Sequence, residues 1–313
     1  MAIEAREMRD VYTETLIGLA EKDERIVILD ADLMRASKAL PFKEKFPERA
    51  VDVGVAEANM IGVAAGLAAS GKIPFTHSFT AFATRRCFDQ VTISVAYAKL
   101  GVKMMGSDPG ISAELNGGTH MSMEDMGLMR GLPGMTVFEP VDSVQLKQAL
   151  PHIVAHEGPV YIRMFRKKAE SIFGEDYKFE WTKGDLLKNG SEVTLIASGI
   201  MVKEALEAEK LLAAEGISAR VINIHTLKPI DQDIIIKAAE ETGAMVTCEN
   251  HNVINGLGSA VAEVLVANKP VPLERVGIQD HFGEVGRMPF LMEKFHMLPT
   301  DIVAAAKKVI GRK

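Results

Sequence analysis

The chain of 313 residues is poor in the features that most directly announce a function. It holds two cysteines, Cys87 and Cys248. They lie far apart with no other cysteine near either, which supports neither a disulfide framework nor a zinc site and leaves two buried thiols as the reading. No apolar run approaches the ~20 residues that span a bilayer, and the stretch from Met1 to Asp10 lacks the apolar core of a secretory leader. A cytoplasmic location without a membrane partner is therefore expected. Basic residues number 36 against 42 acidic ones, a net charge of −6, and no basic stripe is present to track a phosphate backbone. Nucleic acid is not expected as a partner. There is no Walker-type loop, and Gly256-Leu257-Gly258 lacks the third glycine and the downstream acid of a dinucleotide fingerprint, so it is assigned to packing. Neither a repeat nor a low-complexity tract occurs. What remains, 47% hydrophobic and 25% charged, is the make-up of an ordinary globular protein long enough for about two domains.

Strand-like runs at 26–30, 51–55, 73–77, 102–106, 135–139 and 160–164 alternate with helical patterns near 4–21, 57–70, 82–99, 123–130 and 142–156. Such alternation predicts parallel strands covered by helices on both faces. A segment of mixed charge containing Gly174, Trp181, Gly184 and Gly190 interrupts the series. A second series then brings strands at 193–197, 219–224, 244–248 and 273–278, separated by helical patterns at 201–215, 231–242, 257–268 and 300–310. The expected fold class is α/β, with two doubly wound domains of mainly parallel sheet at 1–168 and 191–313 and a linker over 169–190.

Chemistry concentrates in the first half. Glu57 is the only charge between Asp52 and Lys72, at the head of the small-residue run Ala58 to Ala69. An ionised carboxylate removed from water without a partner costs several kcal/mol, so Glu57 needs one. The first turn of a helix satisfies a carboxylate by dipole and capping, and that is one reading of the position. Phe79 and Phe82 fall at a strand-to-helix turn, where a spacing of three puts both on one side; core packing is the other reading. The segment from Ser107 to Asp125 is long, glycine-rich and little patterned, and it carries His120. Loops of this kind are more often functional than structural.

In order and spacing these segments resemble the pyrimidine-binding half of transketolase. The likeness continues through Leu132 to Asp142 and Gly158 to Arg163, and into Cys248-Glu249-Asn250-His251-Asn252 and Gly256 to Ala260. Within the transketolase-like thiamine-diphosphate enzymes, the chain looks most like the shorter, C-terminal subunit of a transketolase split over two chains. The resemblance implies that Glu57 hydrogen-bonds N1′ of the cofactor's pyrimidine and so promotes the imino form of its 4′-amino group, which takes the proton from the thiazolium. A desolvated carboxyl suits that role. Phe79 and Phe82 become the wall on which the ring stacks. Asp32 matches an acidic residue that approaches the cofactor, with a strand-end turn as the alternative. His120 matches the histidine that contacts the donor's C1 and C3 oxygens. Arg166, Arg163, Arg9 and Ser37 are implied as contacts of a sugar phosphate, a surface role being the alternative for each.

Departures from single-chain relatives accompany the likeness. Arg85 stands where the family has a tyrosine, Asn116 where it has an acidic reader of a substrate hydroxyl, and Ser107 where it has a histidine. An amide donates as well as accepts, so stereochemical preference is open. The family's Gly-Asp-Gly motif, which holds the diphosphate through Mg²⁺ or Ca²⁺, is missing. The resemblance thus implies a partner, the N-terminal transketolase subunit carrying that motif, with two copies of each chain and the active site at an interface. No metal is expected on this chain itself. The implied reaction moves a two-carbon ketol unit from a donor of the xylulose 5-phosphate type to an acceptor of the ribose 5-phosphate type. Three alternatives stay open: a deoxyxylulose-phosphate synthase, which normally carries everything on one chain and is disfavoured by the start at Met1; the β subunit of a 2-oxo-acid dehydrogenase, disfavoured by the arginines and the Gly-Gly-Thr-His loop; and a non-catalytic scaffold, disfavoured by Glu57 and His120.

Overall fold

The computed structural model describes residues 5–313. They form two compact units, one made of the chain up to Pro109 together with Leu128–Trp181, the other of Gly110–Gly127 together with Thr182–Lys313.

In the first unit, β1 (Ile26–Asp30), β2 (Ala50–Asp52), β3 (Ile73–Phe79), β4 (Lys103–Ser107), β5 (Thr136–Phe138) and β6 (Val160–Met164) lie in the order β5-β6-β4-β3-β1-β2. Every pairing among them is parallel. β1, β4, β5 and β6 are buried along their whole length, as strands covered on both faces must be. The helices Met8–Ala20 and Ser143–Ala155 pack together, closing a core that includes Tyr12, Leu16, Phe75, Phe138 and Leu150. The helix expected near 4–21 thus begins at Met8, and its residue 4 lies outside the described residues. Register aligns Asp30 with both Asp52 and His77, and Ser107 with both Phe79 and Met164. Because the strands run one way, their carboxyl ends form a single edge. The turns that leave it carry 31–37, 53–57, 80–86, Asp108 and Arg166, and such an edge is where open α/β sheets bind ligands.

One element differs from expectation. The continuous helix anticipated over 82–99 is broken into short turns at Thr80–Ala83, Arg85–Cys87 and Phe88–Gln90, followed by a π-helical stretch, Val91–Tyr97. The break falls at Thr84, whose backbone is non-helical (φ −118°, ψ −87°) and whose hydroxyl donates to the Thr80 carbonyl at 2.7 Å. A side chain that competes for a helical carbonyl bends the chain. The bend decides where Arg85 and Arg86 stand.

The second unit has its own sheet, ordered β12-β11-β8-β9-β7, from β7 (Asp185–Lys188), β8 (Val193–Ala197), β9 (Ala219–Asn223), β11 (Met245–Asn252) and β12 (Leu273–Ile278); a short β10 (Thr226–Lys228) follows β9. Pairings are parallel except that of β7 with β9, which is antiparallel. The two α/β units with mostly parallel sheets are those the alternation predicts. The edge strand β7 departs from expectation, since it lies within the segment assigned to the linker. The loop 110–127 belongs to this second unit. Ile111 donates its N–H to Asn250 Oδ1 (3.0 Å), Asn252 donates to the Met123 carbonyl (3.0 Å), and a Cβ at Gly118 would meet the Gly283 carbonyl at 2.1 Å. Buried Glu249 accepts from the N–H groups of Leu257 (2.7 Å) and Gly258 (2.9 Å), capping the helix Leu257–Asn268. Both cysteines are free and buried, and burial pushes the Cys87 thiol up to about 12 and Cys248 higher still. Among the described residues no helix is long and apolar enough to cross a membrane.

Candidate functional site

Glu57 opens the helix Glu57–Ala69 and is 2% exposed. Its carboxylate reaches across to the neighbouring strand and turn. Ser78 Oγ donates to Oε1 at 3.1 Å, and Arg86 Nη1 donates to Oε1 at 3.1 Å and to Oε2 at 3.0 Å. The Arg86 guanidinium lies 3.6 Å from the centre of the Phe82 ring, within cation–π range. Phe82 in turn meets Phe79 edge to face, at 6.2 Å and 79°. The two phenylalanines are thus gathered beside Glu57 as a corner rather than a flat wall. Arg85 is exposed, and it is Arg86 that reaches the carboxylate. Sequence reasoning passes over Arg86 for its neighbour, because the helical break at Thr84 lies between Phe82 and Arg86 and removes any periodic sign.

The second cluster forms around a narrow, closed-down crevice lined by Leu33, Ala36, Ser37, Ser78, Phe79, Met105, Ser107 and Arg166. Ser37, Ser107 and Arg166, three residues proposed from sequence to meet substrate, therefore converge. Arg9 joins them through its N–H to the Arg166 carbonyl (3.1 Å) and its guanidinium to the Ala36 carbonyl (2.9 Å). Both arginines already hold a carboxylate, Arg166 that of Asp108 at 2.6 Å and Arg9 that of Glu7 at 2.8 Å. Burial raises the Asp108 carboxyl to about 6, against the pull of Arg166. Arg163 does not join the crevice. It is fully buried and ion-paired with buried Glu139, so the expectation that it meets a substrate is corrected: a group enclosed by the core cannot touch a solute. His120 and Asn116 fall in the second unit, His120 Nδ1 lying 3.0 Å from Thr119 Oγ1.

At the end of β1 the sequence points to Asp32, but that residue is exposed and sits in a left-handed turn (φ +61°), its N–H donating to Asp52 Oδ1 at 3.0 Å. The buried acid is Asp30. It accepts from the Leu33 N–H and from Ser37 Oγ (3.0 Å), so it fixes the turn that presents Ser37. His77 Nδ1 faces it at 3.8 Å, while His77 Nε2 lies 2.9 Å from the Tyr12 hydroxyl. Burial brings His77 down to about 3, so this ring is neutral, and burial raises Asp30 to about 6, with Asp52 adding to the rise. A carboxyl raised in the folded state holds its proton more tightly there than in the unfolded chain. Its contribution to stability is present in full below about pH 4 and is lost as the pH climbs through 6. Asp30→Asn is accordingly expected to raise stability at pH 8 by on the order of 2 kcal/mol, with the gain vanishing near pH 4. Urea unfolding of both proteins at the two pH values checks this.

A planar group that donates N–H to a carboxylate while lying on an aromatic face is what the Glu57 and Phe82 slot accepts, since the Arg86 guanidinium does both. The aminopyrimidine end of thiamine diphosphate has that character once its ring nitrogen is protonated, by a proton a carboxyl group can share, so the residues present fit it. Among the described residues, no group of three or more His, Cys, Asp or Glu side chains is arranged to hold a metal ion.

Comparison with known proteins identifies the family. The model of the transketolase pyrimidine binding domain matches residues 4–171, and that of the transketolase C-terminal domain matches 182–302. The chain is 60% identical over 311 residues to the 6-deoxy-6-sulfo-D-fructose transketolase subunit SqwH of Clostridium sp. (strain MSTE9), covering 99% of this chain and 97% of that one. It is 36% identical over 273 residues to a subunit of the apulose-4-phosphate transketolase of Phocaeicola vulgatus, covering 87% of each. A solved split-gene transketolase, described as an inactive beta4 tetramer, superposes with a TM-score of 0.90 at 44% identity over 98% of this chain and 99% of that one. The chain belongs to the transketolase family, as a split subunit made of the pyrimidine-binding and C-terminal domains.

Proposed function

We propose that this chain is the pyrimidine-binding half of a thiamine-diphosphate-dependent enzyme that transfers a two-carbon ketol unit from a ketose to an aldose phosphate. It works with a second subunit that holds the diphosphate and its metal through a Gly-Asp-Gly motif, two copies of each chain forming the enzyme. The observation that carries the proposal is the buried Glu57 carboxylate, facing a slot beside Phe82 that takes a planar N–H donor. When bound, thiamine diphosphate supplies the carbanion chemistry of its thiazolium. Glu57 shares a proton with the pyrimidine nitrogen, Ser78 fixes one of its oxygens, and Phe82 offers its ring face. His120 serves the donor's oxygens, and the crevice lined by Ser37, Ser107 and Arg166, with Arg9 bonded to two of its backbone carbonyls, receives the charged end of the donor.

The charge balance in that crevice favours a sulfonated ketose over a ketose phosphate of the xylulose 5-phosphate type. Arg166 and Arg9 are each neutralised in part by Asp108 and Glu7, leaving a weakly positive site. A sulfonate carries one negative charge where a phosphate monoester carries about −1.5 to −2. The name of the relative at 60% identity points the same way. The chain mixed with its partner subunit, thiamine diphosphate and Mg²⁺ is expected to use 6-deoxy-6-sulfofructose with higher kcat/KM than xylulose 5-phosphate, while the chain alone turns over neither. Turnover only with pyruvate and glyceraldehyde 3-phosphate overturns ketol transfer; preference for xylulose 5-phosphate overturns the donor assignment alone; activity of the lone chain overturns the split site.

A further inference from the structure

Ketol transfer gives Arg86 no role of its own. Its side chain is 44% exposed, yet it spends its charge on the buried Glu57 and sits 3.6 Å from the centre of the Phe82 ring. A guanidinium and a protonated aminopyrimidine are alike in the features that matter here: both are flat, both present N–H donors at the rim, and both lie on an aromatic face. Glu57 Oε2 receives Arg86, while Oε1 is shared between Arg86 and Ser78. Loss of the guanidinium leaves Oε1 held by Ser78 and frees Oε2 for another donor, so the slot keeps its shape when its occupant changes. The half-exposed guanidinium has water to move into, and Ser78 still donates to the carboxylate it leaves, so the cost of release falls on the buried Glu57 and is offset by the N–H donor that takes the place of Arg86.

We propose that Arg86 is a placeholder for the cofactor's aminopyrimidine, occupying the position between Glu57 and Phe82 in the cofactor-free chain and leaving it when the cofactor loads. This rests on the reading of Glu57 as the pyrimidine acid and adds to it a residue that sets cofactor affinity. The pair keeps a buried carboxylate satisfied before assembly, at the expense of competing with the ligand. A site free in about a tenth of molecules binds about tenfold more weakly than a site always free.

Calorimetric titration of thiamine into the purified full-length chain tests the inference, with Arg86→Met, which keeps an unbranched stem over Phe82, and Arg86→Ala. Thermal melts check that each is folded. Both variants are expected to bind thiamine about tenfold more tightly than the wild-type chain, and adding Glu57→Gln to either is expected to abolish the gain. Equal or weaker binding by folded Arg86 variants, with binding still dependent on Glu57, overturns the placeholder and leaves the pyrimidine assignment standing. Binding indifferent to Glu57→Gln in every background, or no binding by any of the proteins, overturns both.

Discussion

Glu57→Gln is expected to lower ketol transfer by the reconstituted enzyme by ~10²–10⁴-fold while the chain stays folded. The size follows from the proton. Glutamine fills the same volume at the head of Glu57–Ala69 and keeps an acceptor oxygen for Ser78 or Arg86, but its amide has no ionisable proton to pass to a pyrimidine nitrogen. Its amide N–H₂ does turn a donor toward the Arg86 guanidinium, and that mismatch costs about 1 kcal/mol, enough to move a melting curve and too little to unfold the domain. Rate and stability therefore separate. Steady-state rates at saturating cofactor, read beside a thermal melt, decide the matter: near-normal turnover contradicts the proton-sharing role, and a collapse of the melt shows that the carboxylate matters for packing instead.

Why Glu57 could be found in the sequence and Arg86 could not is a matter of range. A single charge inside an apolar run is visible locally, because burial of that run follows from its composition. The identity of the partner depends on where a turn 29 residues away bends, and that bend is set by the Thr84 hydroxyl, which no periodicity records. Asp30 and Asp32 show the same limit. They stand two residues apart around the end of one strand, and only the register of β1 against β2 and β3 shows that Asp30 is enclosed between Asp52 and His77 while Asp32 turns out to solvent. The parallel α/β organisation was legible because short, mostly apolar strand-like runs alternate with helical patterns along the chain. The edge strand β7 was not, since its alternating half-burial over four residues looks like linker. The allegiance of loop 110–127 was least legible of all. It is held by contacts such as that of Ile111 to Asn250, 139 residues on, and the segment in between gives no sign of it.

Arg163→Met is expected to destabilise the first unit by about 3–5 kcal/mol and to leave the KM for the donor within about twofold in whatever fraction remains folded. From sequence alone this arginine belongs with Arg166 as a substrate cation, three residues apart after an apolar strand. The structure separates them by depth. Arg166 stands at the carboxyl edge, lining the crevice, whereas Arg163 lies within β6 at 0% exposure and is the largest of the fully buried side chains among the described residues. Glu139, just past β5, is its ion-pair partner and is 3% exposed. A buried pair of this kind need not add much to stability as a pair, because two desolvation penalties offset the attraction; removing one member strands the other, and the stranded carboxylate is what makes the single substitution severe. It follows that Arg163→Met with Glu139→Leu, which removes both charges, recovers a large part of the loss even though it deletes more native groups than the single variant does. Urea midpoints of the wild-type, single and double variants test the first half, and donor KM values of the reconstituted enzymes test the second. An Arg163→Met protein of wild-type stability with a tenfold higher KM would return this residue to the substrate site.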